Sequence, residues 1–161
     1  MKTPNYLFTF GYEGLEIEAF IARLKQAGVR SVVDVRDLPL SRKKGFSKTG
    51  LSASLNHAGI DYFHAPALGC PKPIRNQYRT DGDWGRYSQE FLAYLDTQKE
   101  ALIELARIAL SQTACLVCYE ADFNYCHRTY VARAACRLGA PEVSHIAPRT
   151  VIPDQPLRQV A

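Results

Sequence analysis

Several residue types that can do chemistry lie close together in the segment over residues 118–128, which reads CYEADFNYCHR. A strand is predicted to end at Cys118, and a helix is predicted to begin near Cys126. A thiol at a helix N-terminus is acidified by the free N–H groups, the helix dipole and any neighbouring cation. Cys126 is therefore a candidate nucleophile, with Glu120 and His127 as acid–base candidates. Arg128 would hold an anion at the same helix N-terminus. The structural alternative is a plain strand–loop–helix turn with buried cysteines.

The same segment also contains soft metal ligands, namely Cys118, Cys126 and His127. Their spacing is not the short paired spacing of zinc fingers, and Cys70 would have to supply a fourth ligand. We therefore assign no metal site. A Cys/His metal site or a thiol-redox site stays open as an alternative.

A second group of ionisable residues begins inside an apolar run at Asp34. A lone buried carboxylate is costly, so Asp34 needs a basic partner, and Arg36 is the nearest candidate. The run then opens into the most basic stretch of the chain, which includes Arg42. A phosphate contact is the functional interpretation of this stretch, and a solvated basic loop is the structural one.

The connection over residues 65–85 contains alternating arginine and aromatic residues. Such a pattern can hold a base or a nucleic-acid strand by stacking and charge. It can equally form a lid that packs on itself, or a contact between two copies of the chain. The sequence does not decide among these roles, and a homodimer stays open.

These residues must be positioned by β-rich runs that alternate with amphipathic segments. Strands are predicted over residues 6–10, 31–35, 60–64, 115–118 and 142–146. Helices are predicted over residues 17–27, 48–58, 87–95, 98–109 and 126–138, with Thr97 and Glu100 forming a capping box. The alternation predicts one α/β domain over residues 1–146, a Rossmann-like three-layer fold with a mainly parallel sheet and helices on both faces. An extended C-terminal tail is predicted over residues 147–161.

Ligands of such sheets bind outside the carboxyl ends of the strands. The residues just past four predicted strand ends include Tyr12 with Glu13, Arg36, His64 and Glu120. Polar side chains therefore cluster where the fold predicts a cleft. The candidate ligand-binding residues of this cleft are Tyr12, Glu13, Asp34, Arg36, Arg42, Cys118 and Arg128.

Composition excludes several classes of protein. The chain has 161 residues, of which 47% are hydrophobic and 22% charged, and it contains no apolar run of about 18 residues. The first residues lack the apolar core of a signal peptide, and the five cysteines are odd in number. We therefore expect a cytoplasmic protein with reduced thiols and no membrane partner. Thirteen of the twenty basic residues are arginine, which modestly favours an anionic partner.

The chain resembles the bacterial and archaeal family catalogued as domain of unknown function 488. The resemblance rests on FGYEG at residues 10–14, VDVR at 33–36, Pro39 and SR at 41–42, LG at 68–69, CxE at 118–120 and CHR at 126–128. It covers residues 7–146 and implies an α/β fold with a cleft. The site positions that it implies, without an assigned chemistry, are Asp34, Arg36, Arg42, Cys118, Glu120, Cys126, His127 and Arg128.

The residues together predict that the chain binds a phosphate-bearing ligand, such as a nucleotide or nucleic acid, in an Arg-lined cleft at the strand ends. Arg36, Arg42 and Arg128 would hold the anion. The alternative is a non-catalytic module that binds nucleic acid or protein. The sequence leaves open whether the chain is an enzyme and whether it uses a cofactor.

Overall fold

The structure is a computed structural model that describes residues 5–155. Its strands are β1 (Leu7–Gly11), β2 (Ser31–Asp34), β3 (Asp61–His64), β4 (Ala114–Cys118), β5 (Val143–Ile146) and β6 (Val151–Pro153). They form one sheet in the order β3-β2-β4-β1-β5-β6, in which only β6 is antiparallel to its neighbour. The predicted mainly parallel sheet is confirmed.

Six α-helices lie in the described part of the chain. They are α1 (Ile17–Gln26), α2 (Lys48–His57), α3 (Lys72–Asp81), α4 (Trp84–Leu95), α5 (Lys99–Ser111) and α6 (His127–Arg137). One face of the sheet packs on α1 and α2, and the opposite face packs on α4, α5 and α6. The predicted α/β fold with helices on both faces is therefore confirmed. No helix among residues 5–155 combines the length and the apolar character needed to cross a bilayer.

The side chains of β4 show how a single run of apolar residues serves both faces. All five residues of β4 are buried. Leu116 and Cys118 pack with the α4–α6 side, whereas Cys115 and Val117 pack with the α1–α2 side. Strands that are covered on both faces contain near-continuous apolar runs, because alternate side chains enter different cores.

The carboxyl end of β4 lies at a switch point of the topology. The neighbours of β4 in the sheet are β1 and β2, and they lead into α1 and α2 on one face. The chain leaving β4 leads instead into α6 on the other face. Diverging connections leave a crevice outside the strand ends, which is where ligands of open α/β sheets bind.

The connection over residues 65–85, in which no helix was predicted, is largely helical. It contains a short 3₁₀ helix at Pro66–Leu68, followed by α3 and the start of α4. Pro71 is the N-cap of α3 and Pro73 lies in its first turn, where a proline removes no helical hydrogen bond. Gly82 ends α3 with a φ of 62°, a left-handed conformation that suits glycine.

The starts of α4 and α5 also differ from the prediction. Asp83 caps α4 by accepting a hydrogen bond from the Arg86 N–H at 3.0 Å, so this helix starts earlier than expected. The predicted capping box of α5 is wrong, because the N-cap is Gln98. The Thr97 hydroxyl instead donates to the Tyr94 carbonyl at the end of α4, at 2.6 Å.

The segment beyond residue 146 adds β6 to the sheet, where it pairs with β5. Asp154 then binds back to the domain through Arg133 at 2.8 Å and His145 at 2.9 Å. The part of the predicted tail over residues 156–161 lies outside the described residues, as do residues 1–4.

Candidate functional site

A cavity of about 470 Å³ opens at the carboxyl edge of the sheet, beside the end of β4. Its walls come from the β2–α2 loop (residues 35–47), α3, the start of α4 and the β4–α6 loop (residues 119–126). The predicted site residues that line it are Tyr12, Arg36, Arg42, Cys118, Glu120, Cys126 and His127. The structure thus brings together residues that lie up to 115 positions apart, from Tyr12 to His127.

The floor of the cavity is formed by Cys118, Cys126 and His127, which we call the Cys–His cluster. Both sulfur atoms lie 3.9 Å from Nδ1 of His127, and the three possible ligand atoms lie within 4.8 Å of one another. Cys118 is the last residue of β4, and Cys126 is the N-cap of α6. The predicted position of Cys126 at a helix N-terminus is confirmed.

The imidazole of His127 has one defined orientation. Its Nε2 lies 2.7 Å from the carbonyl oxygen of Val35, which can only accept a hydrogen bond, so Nε2 carries a proton. The ring also packs edge-on against Phe91, with centroids 5.3 Å apart. The remaining nitrogen, Nδ1, is therefore directed at the two cysteines.

The charge state of the Cys–His cluster departs from that of free side chains. Burial disfavours a thiolate at Cys126, but Cys118, Arg128 and His127 together hold its pKa well below the usual value. Contact with Cys126 and burial raise the pKa of Cys118. Burial opposes protonation of His127, yet its contacts with Cys126 raise its pKa above the usual value. A thiolate beside an imidazolium can act as a nucleophile, and a thiolate is also the form of cysteine that binds metal ions.

Glu120 is the carboxyl group that stands next to this cluster. Its Oε2 lies 3.4 Å from the sulfur of Cys118, and burial raises the pKa of Glu120. A carboxyl group whose pKa is shifted upward can exchange a proton closer to neutral pH. The position of Glu120 is thus compatible with the acid–base role expected from the sequence.

Arg128 does not occupy the anion-binding position that the sequence predicted for it. It is fully buried and does not line the cavity. Its guanidinium donates to the carbonyl oxygens of Glu120 at 2.5 Å and Ala121 at 3.4 Å. These contacts hold the β4–α6 loop, so Arg128 positions Glu120 and does not face a ligand in the cavity.

Arg36 and Asp34 form a buried ion pair, as the sequence predicted. The guanidinium donates to both carboxylate oxygens, from Nε at 2.9 Å and from Nη2 at 2.7 Å. It also donates to the Phe46 carbonyl at 2.6 Å and the Tyr12 hydroxyl at 3.1 Å. The Tyr62 hydroxyl donates to Asp34 at 2.6 Å. Arg36 lines the cavity, but most of its donors are used within the protein, and Asp34 lies behind it.

Two further predicted residues hold loops around the cavity and do not line it. The Glu13 carboxylate accepts a hydrogen bond from the Ala121 N–H at 3.0 Å. His64 binds the Arg36 carbonyl oxygen at 2.9 Å. Both contacts connect the ends of neighbouring strands and so fix the shape of the rim.

Gly11 explains how the β4–α6 loop comes so close to β1. A Cβ atom at this position would lie 1.7 Å from the carbonyl oxygen of Glu120. Only glycine leaves room for this approach. The glycine thus sets the position of the loop that carries Glu120.

Arg42 and Arg79 supply the unpaired positive charge of the cavity. Both are exposed, and across residues 5–155 neither guanidinium forms an ion pair or a hydrogen bond. Arg75 also lines the cavity but is paired with Asp37 at 3.1 Å. Of the arginines expected to hold an anion, Arg42 is the one whose guanidinium is available.

Sequence reasoning did not assign the part of the wall formed by α3 and α4. The lining residues from this region and from the β4–α6 loop that were not among the predicted site positions include Cys70, Arg75, Tyr78, Arg79, Trp84 and Tyr125. The signal for most of them was the alternation of arginine and aromatic residues over 65–85. Cys70 does not join the Cys–His cluster, and its sulfur contacts the Pro71 carbonyl at 3.7 Å.

The fold and site define an α/β domain with a thiol- and arginine-lined cavity at the carboxyl edge of its sheet. The family model described as Domain of unknown function DUF488 matches residues 16–135, and the chain belongs to this family. The match contains both the segment from Asp34 to Arg42 and the segment from Cys118 to Arg128. No curated protein and no solved structure matches the chain.

Proposed function

We propose that the chain binds a phosphate-bearing ligand in this cavity, a nucleotide that is free or part of a nucleic-acid strand, and that the residues at the cavity floor act on it. The observation that carries this proposal is the pair of unpaired guanidinium groups, Arg42 and Arg79, beside the cavity. Guanidinium groups match phosphate geometry and bind it through two hydrogen bonds at once.

The charge balance of the lining supports an anionic ligand. Four arginines but only two carboxylates, Asp37 and Glu120, line the cavity. Arg36 is neutralised by Asp34, and Arg75 is neutralised by Asp37. The charges that remain for a ligand are those of Arg42 and Arg79, and a phosphate group would satisfy them.

An aromatic wall supports a ligand with a planar ring. Trp84 stacks on Tyr87 with centroids 4.6 Å apart, and it contacts Tyr78 and Tyr125 edge-on at 5.6 Å. The Tyr125 side chain is 54% exposed at the mouth of the cavity. Nucleobases stack on such side chains. The volume of about 470 Å³ lies within the range of small-molecule sites.

The Cys–His cluster favours an enzyme over a binding module. A surface that only binds nucleic acid needs arginines and aromatic residues, but it needs no buried thiols and imidazole at the base of a cavity. Ionisable groups with shifted pKa values tend to gather at catalytic sites. Glu120, Cys126 and His127 are therefore the residues that we propose act on the ligand.

Calorimetric titration with a nucleoside monophosphate, the matching nucleoside and inorganic phosphate tests the binding proposal. We expect the monophosphate to bind most tightly, and Arg42→Gln and Arg79→Gln each to weaken it by about tenfold or more, since a charge-assisted hydrogen bond contributes about 1.5–3 kcal/mol. Binding of the nucleoside should change little in both variants.

Arg107→Gln is the matched control, because Arg107 lies on α5, away from the cavity, and pairs with Glu104. Equal weakening by all three substitutions, or none by Arg42→Gln and Arg79→Gln, would contradict the proposal. A turnover assay on the ligand that binds separates an enzyme from a binding module, which would bind in a salt-dependent way and leave its ligand unchanged.

A further inference from the structure

The Cys–His cluster presents three metal-ligating atoms to one point at the cavity floor. We propose that Cys118, Cys126 and His127 bind a Zn²⁺ ion there. In this arrangement Cys126 and His127 act through the ion, in place of the separate nucleophile and acid–base roles that the sequence suggested. The ligand set of two thiolates and one imidazole is one that zinc prefers.

The distances within the cluster fit a tetrahedral ion. Zinc–sulfur bonds of about 2.3 Å and zinc–nitrogen bonds of about 2.0 Å place neighbouring ligand atoms about 3.5–3.8 Å apart. Each cysteine sulfur lies 3.9 Å from Nδ1 of His127. Each sulfur–nitrogen distance therefore exceeds the tetrahedral value by only about 0.4 Å, and all three ligand atoms lie within 4.8 Å of one another.

The hydrogen bond of His127 is the one expected of a metal ligand. Ligating histidines almost always donate their other ring N–H to a carbonyl or carboxylate, which fixes the ring and its tautomer. His127 donates from Nε2 to the Val35 carbonyl at 2.7 Å, which leaves Nδ1, the nitrogen that would bind the ion, directed at both sulfur atoms.

The fold places the three ligands before any ion binds. Cys118 is fixed at the end of β4, and Cys126 and His127 are fixed at the start of α6. Arg128, in the same turn of α6, holds the intervening loop through the Glu120 carbonyl. All three ligand side chains are buried yet line the cavity, so an ion would be shielded from bulk water but reachable from the ligand side.

Three protein ligands leave a fourth position for water or substrate, as in catalytic zinc sites. That position faces the cavity, and Glu120 stands beside it with Oε2 at 3.4 Å from the Cys118 sulfur. Glu120 is not one of the three ligands, and its carboxyl group would lie next to water or substrate held in the fourth position. The metal site rests on side-chain geometry alone and does not require the phosphate ligand proposed above.

Titration of the metal-free full-length chain with Co²⁺ tests the site, because cobalt reports its ligands by absorption. We expect about one Co²⁺ per chain, a thiolate-to-cobalt charge-transfer band and intense visible bands of tetrahedral cobalt, all removed by Zn²⁺. Cys126→Ser and His127→Gln should abolish these bands. Glu120→Gln, Cys70→Ser and Cys136→Ser should keep them, since these residues lie outside the ligand set.

X-ray absorption at the zinc edge of the wild-type chain gives a result that does not depend on whether the variants fold. We expect sulfur scatterers at about 2.3 Å together with nitrogen or oxygen scatterers at about 2.0 Å. A zinc coordination shell without sulfur would overturn the proposal. So would a wild-type chain that binds no cobalt, or cobalt absorption bands that survive in Cys126→Ser. Phosphate binding is measured on the arginine variants, so either proposal can fail without the other.

Discussion

Arg36 donates to both carboxylate oxygens of Asp34 within the protein interior, where the Asp34 side chain is fully buried. The pair joins the end of β2 to the wall of the cavity. We expect Asp34→Ala to lower the free energy of unfolding by about 3–5 kcal/mol, because it leaves the buried Arg36 guanidinium without its counter-charge.

Urea denaturation measures this effect, with Glu104→Ala as the control. Glu104 pairs with Arg107, but both side chains are more than half exposed, so loss of that pair should leave stability nearly unchanged. Similar losses in the two variants would show that the Asp34–Arg36 pair does not support the cavity wall.

Gly11→Ala tests the close approach of the β4–α6 loop to β1. The added Cβ would lie 1.7 Å from the Glu120 carbonyl oxygen, so the loop must move. We expect the free energy of unfolding to fall by about 3 kcal/mol, which is at the upper end of the usual cost of overpacking. Gly50→Ala in α2 is the control, since its nearest contact would be at 3.8 Å. Equal thermal stability of the two variants would contradict the packing described here.

His145 gives a prediction for pH dependence. Burial lowers its pKa by more than the hydrogen bond from its Nε2 to Asp154 raises it. The neutral ring also accepts a hydrogen bond from the Thr9 hydroxyl at 2.6 Å and stacks on Phe123. An unfolded histidine titrates near 6.5, so protonation favours the unfolded chain.

The contribution of His145 to stability is therefore complete above about pH 6.5 and is lost as the pH falls below that value. We expect the loss of unfolding free energy between pH 7.5 and 5.5 to be smaller in His145→Gln than in the wild type. His57→Gln, at the exposed end of α2, should not reduce it. An NMR titration that gives His145 a pKa at or above 6.5 would refute this interpretation.

Much of the fold could be predicted, because local patterns decide it. The apolar runs and the turn residues between them locate strands β1 to β5 and, among the described residues, every helix except α3 to within a few residues. Helix α3 was not predicted because its prolines were interpreted as signals of turns. Pro71 and Pro73 stand at the start of this helix, where the fixed φ of proline favours a helical turn.

The site could be predicted in its location but not in its division of roles. The strand ends and the segment 118–128 point to one edge of the sheet. Whether an arginine faces a ligand or the protein depends on contacts that no local pattern reveals. Arg36 and Arg128 are occupied by Asp34 and by loop carbonyls, whereas Arg79, on the unexpected helix α3, is available.

Trp84 offers the most direct test of the proposed ligand site, because it is the single tryptophan of the sequence and it lines the cavity. We predict that a nucleoside monophosphate changes the fluorescence of Trp84 in a saturable way. The midpoint concentration of this change should equal the dissociation constant measured by calorimetry. The midpoint should rise by about tenfold or more when either Arg42 or Arg79 is replaced by glutamine, and should not move in Arg107→Gln. Binding detected by calorimetry without any change in Trp84 fluorescence, or an equal shift in the Arg107 control, would contradict a phosphate-binding role for this cavity.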